Sequence, residues 1–412
     1  MNSIATRHAP DVKLPLAHIF TGIAAALLGG VALLLWAPEL LARPVGDFRT
    51  LAVTHLFTLG WLAMTITGAS YQLIPVVLEV RLRSEPLARV GYVALCLGVA
   101  GMIAGFWGAA VGLLAAGAVL AAAALLTYAA HIAATCLQAG AHRMHRLFFL
   151  GATVFLVVVC VLGALMAVGF RLRFSPGNLF LAHITAAVLG WASLFAMGVA
   201  YKLVPMFALS HGHGEGRGTA VFSLTFSGAA LLVVGAALQW SAPAMAAAGL
   251  LPLAAVGLFL WDQWMFFRLR HKPRLDVGLR LTTIACGYLG LTAAVTWLAL
   301  AGLWRPAHGV PVILALLGWL GCLLSGQTYK IVPFLVWFHR YASRAGREKV
   351  PLLRDMYDER LAAAGMWGLA AAGLLMAAGA ATGTGALERL SALAWLVGYA
   401  ILAANMFQVL RA

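Results

Sequence analysis

Along the chain, long apolar runs alternate with short polar or basic breaks. Crossing a hydrocarbon layer of about 30 Å takes roughly 20 helical residues at a rise of 1.5 Å each. Runs of that kind fall at 16–36, 50–79, 88–110, 113–137, 147–170, 179–209, 219–240, 243–267, 281–303, 310–338, 361–381 and 387–410. The pattern predicts an all-α polytopic membrane protein of twelve transmembrane helices, forming one membrane domain over 1–412 with no soluble domain attached. The third and fourth runs almost touch, and the break around 108–112 is the least defined of the boundaries.

One motif recurs three times. Gly60-Trp61 leads to Gly68, Tyr71 and Pro75; Gly190-Trp191 to Gly198, Tyr201 and Pro205; and Gly318-Trp319 to Gly326, Tyr329 and Pro333. The tyrosine lies 10 residues and the proline 14 residues after each tryptophan, and the copies are offset by 130 and then 128 residues. The motif falls on the second, sixth and tenth predicted helices, so the chain reads as three four-helix repeats at approximately 14–138, 146–268 and 279–410. Function is then to be sought where the copies differ. Within the motif, residues at i, i+3 and i+7 share a stripe. The glycine allows close helix approach, the tyrosine hydroxyl can bond a neighbour, and the proline bends or ends the helix.

Composition agrees with a membrane protein: 63% of residues are hydrophobic, 10% are charged and the mean hydropathy is +0.94. The net charge of +15 is no sign of nucleic acid, because the basic residues follow topology. The two ends and the even-to-odd loops hold 20 of the 28 Lys and Arg, the opposite loops 6, and Lys202 and Lys330 lie within helices. Cytoplasmic loops retain positive charge, which predicts cytoplasmic termini in a bacterial-type inner membrane and a lipid bilayer as the first partner. The first apolar run has no small-residue cleavage site after it and reads as a retained helix. Cys96, Cys136, Cys160, Cys286 and Cys322 are scattered singly, without the CxxC or CxxCH spacing of iron–sulfur or covalently attached haem sites. No Walker A loop, GxSxG, HExxH or mid-membrane carboxylate cluster supports a hydrolase or a pump.

Ionisable groups inside spans are costly and mark function when they occur. Four histidines qualify: His18, His55, His131 and His183, on the first, second, fourth and sixth helices. His55 and His183 fall about one to two turns below the outer surface, while His18 and His131 fall near the inner face. Two imidazoles from facing helices can ligate a haem iron or a copper ion; equally, each ring can donate to a carbonyl on a neighbouring helix. Relative to the repeat tryptophan, His55 lies six residues before and His183 eight, a difference of about 200° in direction at 100° per residue. The remaining histidines, including His142 and His145, fall in inner loops or at helix ends and read as solvated. His308, in an outer loop, is the third repeat's nearest counterpart to the outer pair. Lys202 and Lys330, beside Tyr201 and Tyr329, occupy the position of Gln72 beside Tyr71. They snorkel toward the inner interface or bind a quinone carbonyl, a haem propionate or an anion, with Asp262 and Glu79 near enough to neutralise them. Met64 and Met197 read as packing.

Twelve helices in three pseudo-symmetric groups, with histidines near the outer ends of the second and sixth, resemble subunit I of the haem-copper oxidase superfamily. The Gly/aromatic/Pro endings of the second and tenth helices are similar as well. On that resemblance, His55 stands where the family places a ligand of its low-spin haem, and His183 near a copper ligand. The chain departs from the family over 219–240, which has no histidine where the family has a pair. It departs again at Pro311-Val312-Ile313, where the family has two haem ligands. The resemblance therefore implies a non-oxidase relative, similar in kind to the NnrS-like haem and copper membrane proteins linked to nitric oxide stress. Its cofactor would be a haem, of b-type, or copper, and its partners a quinone, a cytochrome or another respiratory subunit. A reading from a different class is a metal-free transporter or assembly factor using an inter-repeat cavity lined by Lys202, Lys330 and the tyrosines.

Overall fold

The computed structural model describes residues 10–44, 46–172, 179–211, 214–305 and 309–412. Among them, twelve helices are long and apolar enough to cross a membrane. They are α1 (Lys13–Ala42), α2 (Phe48–Leu78), α3 (Glu85–Trp107), α4 (Val111–Cys136), α5 (Arg143–Leu172) and α6 (Leu179–Ala208). The series continues with α7 (Glu215–Ala237), α8 (Ala242–Arg268), α9 (Val277–Leu300), α10 (Val310–Tyr341), α11 (Glu359–Thr382) and α12 (Gly385–Arg411). Polar side chains at the breaks satisfy the first free N–H groups. Asp47 accepts from Arg49 N and Thr50 N ahead of α2, Ser84 from Leu87 N ahead of α3, and Asp358 from Arg360 N and Leu361 N ahead of α11.

Some ends differ from the hydropathy reading for backbone reasons. The third helix stops at Trp107 rather than 110 and the seventh at Ala237 rather than 240, because Ala109 and Gln239 turn the chain through the left-handed region (φ 51° and 58°). The first helix runs through Pro38 to Ala42, since a proline inside a helix removes one hydrogen bond without forcing a stop when the following turns are bonded.

Each helix packs on the next in sequence, and α12 closes the circuit against α1. α2 and α10 are drawn inside it, with 72% and 83% of their apolar windows covered by protein against 17% for α9. In each motif-bearing helix the Gly-Trp pair lies in a π-helical segment: Leu56–Ala63, Ala186–Ser193 and Leu314–Leu320. The motif glycines then seat each of these helices on the one before it. A Cβ on Gly68 would meet His18 Cβ of α1 at 2.5 Å, one on Gly198 would meet Phe148 Cβ of α5 at 2.6 Å, and one on Gly326 would meet the Gly278 carbonyl of α9 at 2.7 Å. The prolines act unequally. α2 and α6 end three residues after Pro75 and Pro205, at left-handed Glu79 and Leu209, whereas α10 continues for eight residues beyond Pro333. Met64 and Met197 are fully buried packing residues.

Candidate functional site

The π segment of α2 begins immediately after His55, and that of α6 three residues after His183. His55 and His183 lie within electrostatic range of each other. His55 Nδ1 lies 2.8 Å from the Leu51 carbonyl, and its ring stacks on Phe106 of α3 at 5.3 Å and 25°. A ring nitrogen against a carbonyl carries the proton, which leaves the lone pair of the neutral ring on Nε2. His183 is held by α5: it reaches the Val159 carbonyl, and Gly163 is near enough that a Cβ there would lie 3.0 Å from its Cε1. Its Nδ1 is buried without a partner. Leu51, Met102, Phe106, Leu114 and Ala167, from α2 to α5, form an apolar cluster at this end of the bundle. Two imidazoles, one oriented by a backbone carbonyl and one with an unused buried nitrogen, fit the donor set of a haem iron or a copper ion. His308, the expected third contributor, lies outside the described residues.

The inner histidines also meet, around Tyr71. His18 of α1 lies 5.6 Å and His131 of α4 5.8 Å, centroid to centroid, from the Tyr71 ring, with Tyr92 of α3 4.6 Å from His18. Neither donates to a neighbouring helix: one ring bonds within its own helix and the other accepts from a loop. His18 Nδ1 bonds the Leu14 carbonyl at 2.9 Å, and His131 Nε2 accepts from Ser84 N at 3.0 Å, so it fastens the α2–α3 loop. Tyr128 donates to Ser70 at 2.8 Å in the same packet.

The three motif tyrosines have three different neighbourhoods. Tyr71 faces the histidines; Tyr201 donates to Asp262 at 2.9 Å; Tyr329 accepts from Asn405 at 3.3 Å and packs on Tyr357. The expectation that Asp262 and Glu79 neutralise the lysines is corrected. Asp262 pairs with Arg217 at 2.7 Å, and Glu79 approaches His142 at 3.8 Å. Lys330 pairs instead with Asp276, the N-cap of α9, which also holds Lys272, and its ammonium lies 5.1 Å over the Phe207 ring. Hydropathy could not single out Asp276, because a capping aspartate before an apolar run looks like any other. Burial also corrects the solvated reading of His145: it is only 6% exposed, and neither ring nitrogen has a partner. His145 stands in the first turn of α5, two residues ahead of the apolar run at 147–170. Cys322, the remaining metal-ligand type in the tenth helix's outer half, turns its thiol to the Leu369 carbonyl of α11 at 3.9 Å.

No protein-family model matches the chain, and no curated protein sequence does either.

Proposed function

We propose that the chain is an inner-membrane protein of haem-copper oxidase subunit I-like fold, with both termini cytoplasmic, that binds a haem or a copper ion through His55 and His183. It serves electron transfer or nitric oxide and respiratory metabolism without a complete oxygen-reducing centre. The observation that carries the reading is that His55 and His183, on the motif-bearing helices α2 and α6, lie within electrostatic range of each other at the end of the bundle that holds the apolar cluster. The apolar wall excludes water, the Leu51 carbonyl fixes the tautomer of His55, and Phe106 fixes its ring plane. A haem or copper held there supplies one-electron chemistry or a binding position for nitric oxide. A quinone or a cytochrome is the class of electron partner this implies. The metal-free transporter reading loses support, because Lys330 and Tyr201, two of the groups it needs free in a cavity, are paired with Asp276 and Asp262.

The test is a visible spectrum, oxidised and reduced, with iron and copper analysis, of the purified protein and its variants. Stoichiometric haem or copper in the wild type, lost in His55→Ala and His183→Ala but kept in His18→Ala, is the expected result. Absence of both metals from the wild type, or loss of metal only in His18→Ala and His131→Ala, refutes it.

A further inference from the structure

A second group of ligand-type side chains lies where α5 and α7 begin. His142 immediately precedes α5, His145 stands in its first turn, and Glu215 opens α7; their ligand atoms all lie within 4.8 Å of one another. Packing brings them there. Gly218, one turn into α7, sits so close to Met144 that an added Cβ would meet Met144 Sδ at 2.1 Å. That contact sets the first turn of α7 beside the first turn of α5. His142 takes the left-handed conformation (φ 56°) and its carbonyl accepts from Arg146 N at 3.0 Å. With its backbone committed in this way, its ring lies 6.2 Å from that of His145.

The observation that points to a ligand is His145 itself. More than nine-tenths buried, it has no hydrogen-bond partner at either nitrogen among the described residues. A buried polar group left unpaired costs about 1–3 kcal/mol, and an apolar residue would fill the same volume without that cost. The charges around it suit a cation. Glu215 faces it, and Glu79, the left-handed cap of α2, lies 3.8 Å from His142 Nε2. Lys202 also lies within electrostatic range of His145.

We propose that His142, His145 and Glu215 form a binding site for a zinc-type divalent cation, separate from the His55/His183 site. Two imidazoles and a carboxylate make a three-ligand set that leaves a fourth tetrahedral position for water. Bond lengths of about 2.0–2.1 Å place tetrahedral donors roughly 3.3 Å apart, so separations that all lie within 4.8 Å must close by at most about 1.5 Å. The fixed partner is buried His145; Glu215 is exposed and the His142 side chain is 26% exposed, so both arms are free to swing in. Bound there, the ion ties the head of α5 to the head of α7, and through Glu79 it sits beside the end of α2.

The full-length protein in detergent, stripped with a chelator and dialysed, is titrated with Zn²⁺ against a chromophoric competitor and with Co²⁺ followed by its visible absorption. One equivalent of tight binding with a tetrahedral Co²⁺ band is expected. Glu215→Gln, on an exposed side chain that cannot compromise folding, weakens it at least 10-fold. His145→Ala abolishes it, and the His55→Ala/His183→Ala double variant leaves it unchanged. No binding by the wild type overturns the proposal, as does binding undiminished in both Glu215→Gln and His145→Ala. Because the outer-pair variant is measured in parallel, failure here and failure of the outer cofactor site are separate results.

Discussion

Asp276 carries three loads at once, and its removal should be the most damaging single change at the charged end of α9. Its carboxylate caps α9 through Leu279 N at 3.1 Å and pairs with both Lys330 and Lys272. The Asp276 and Lys330 side chains are only 14% and 12% exposed. Losing a capping oxygen costs about 1 kcal/mol, and stripping the partner from a buried charge costs about 3–5 kcal/mol. Asp276→Ala should therefore lose roughly 4–6 kcal/mol. Asp276→Asn keeps an oxygen for the cap and should be the milder by about 1 kcal/mol. The double variant Asp276→Asn/Lys330→Met, which removes both charges, should recover most of the loss. Apparent unfolding midpoints in one detergent at one scan rate rank the set, since a protein of this kind unfolds irreversibly. Burial alone would raise the Asp276 carboxyl, but Lys330 and Lys272 outweigh it and hold it below its ordinary value of 3.8. A depressed folded value means the contribution is fully present above that ordinary value and disappears as pH falls through the folded one. The wild type should thus lose stability below about pH 4, and the gap to Asp276→Asn should shrink there. Single variants within about 1 kcal/mol of wild type, or a gap that widens on acidification, would refute the reasoning.

Other expectations are shorter. Gly318→Ala should destabilise by at least 1–3 kcal/mol: the new Cβ falls 2.1 Å from the Tyr288 ring, whose hydroxyl is held by the Ala370 carbonyl at 2.5 Å and Leu374 N at 3.0 Å. Gly46→Ala, with open space around it, serves as the neutral control in the same melting assay. In a cysteine-free background, Arg389→Cys should react with an impermeant maleimide from outside intact cells and Lys349→Cys should not; the reverse pattern would invert the topology. With no histidine in α7 and Cys322 turned toward α11, the isolated chain should show no sustained cyanide-sensitive oxygen consumption with reduced cytochrome or quinol, and an oxygen electrode that records it would contradict the reading.

Helix number and the place of the motif were legible because membrane insertion writes itself into hydropathy: apolar length and basic breaks are needed whatever the packing. The motif glycines were legible for a related reason, since only a missing Cβ lets α2, α6 and α10 lie so close to α1, α5 and α9. What hydropathy could not carry was pairing. Lys330 goes to Asp276 and Arg217 to Asp262 because of where helix ends meet in space, and sequence separations of 54 and 45 residues hold no record of that. His145 was missed because position at a helix end stands for solvation only when no other helix head covers it, and α7 does. His55 and His183 were chosen by depth, read from the rise per residue. Their approach to within electrostatic range was not legible, because a direction computed along a regular helix says nothing of the slot that two different helices face.

The three π-helical stretches make each motif-bearing helix a two-part shaft with a coupling in the middle. A π turn holds one more residue than an α turn per hydrogen-bonded ring, so the coupling is an inserted residue that the fold absorbs locally. Above it stand residues that differ between copies, His55, Thr185 and Ile313 at one position and His183 two residues further out; below it stand the glycine and tyrosine that recur. Single-residue insertions and deletions, ruinous in an uninterrupted span, can here be taken up by the coupling. They re-aim the outer half by about 100° while the inner half keeps its seat. A scaffold with three such joints can change a side chain's aim at one end without renegotiating the packing at the other.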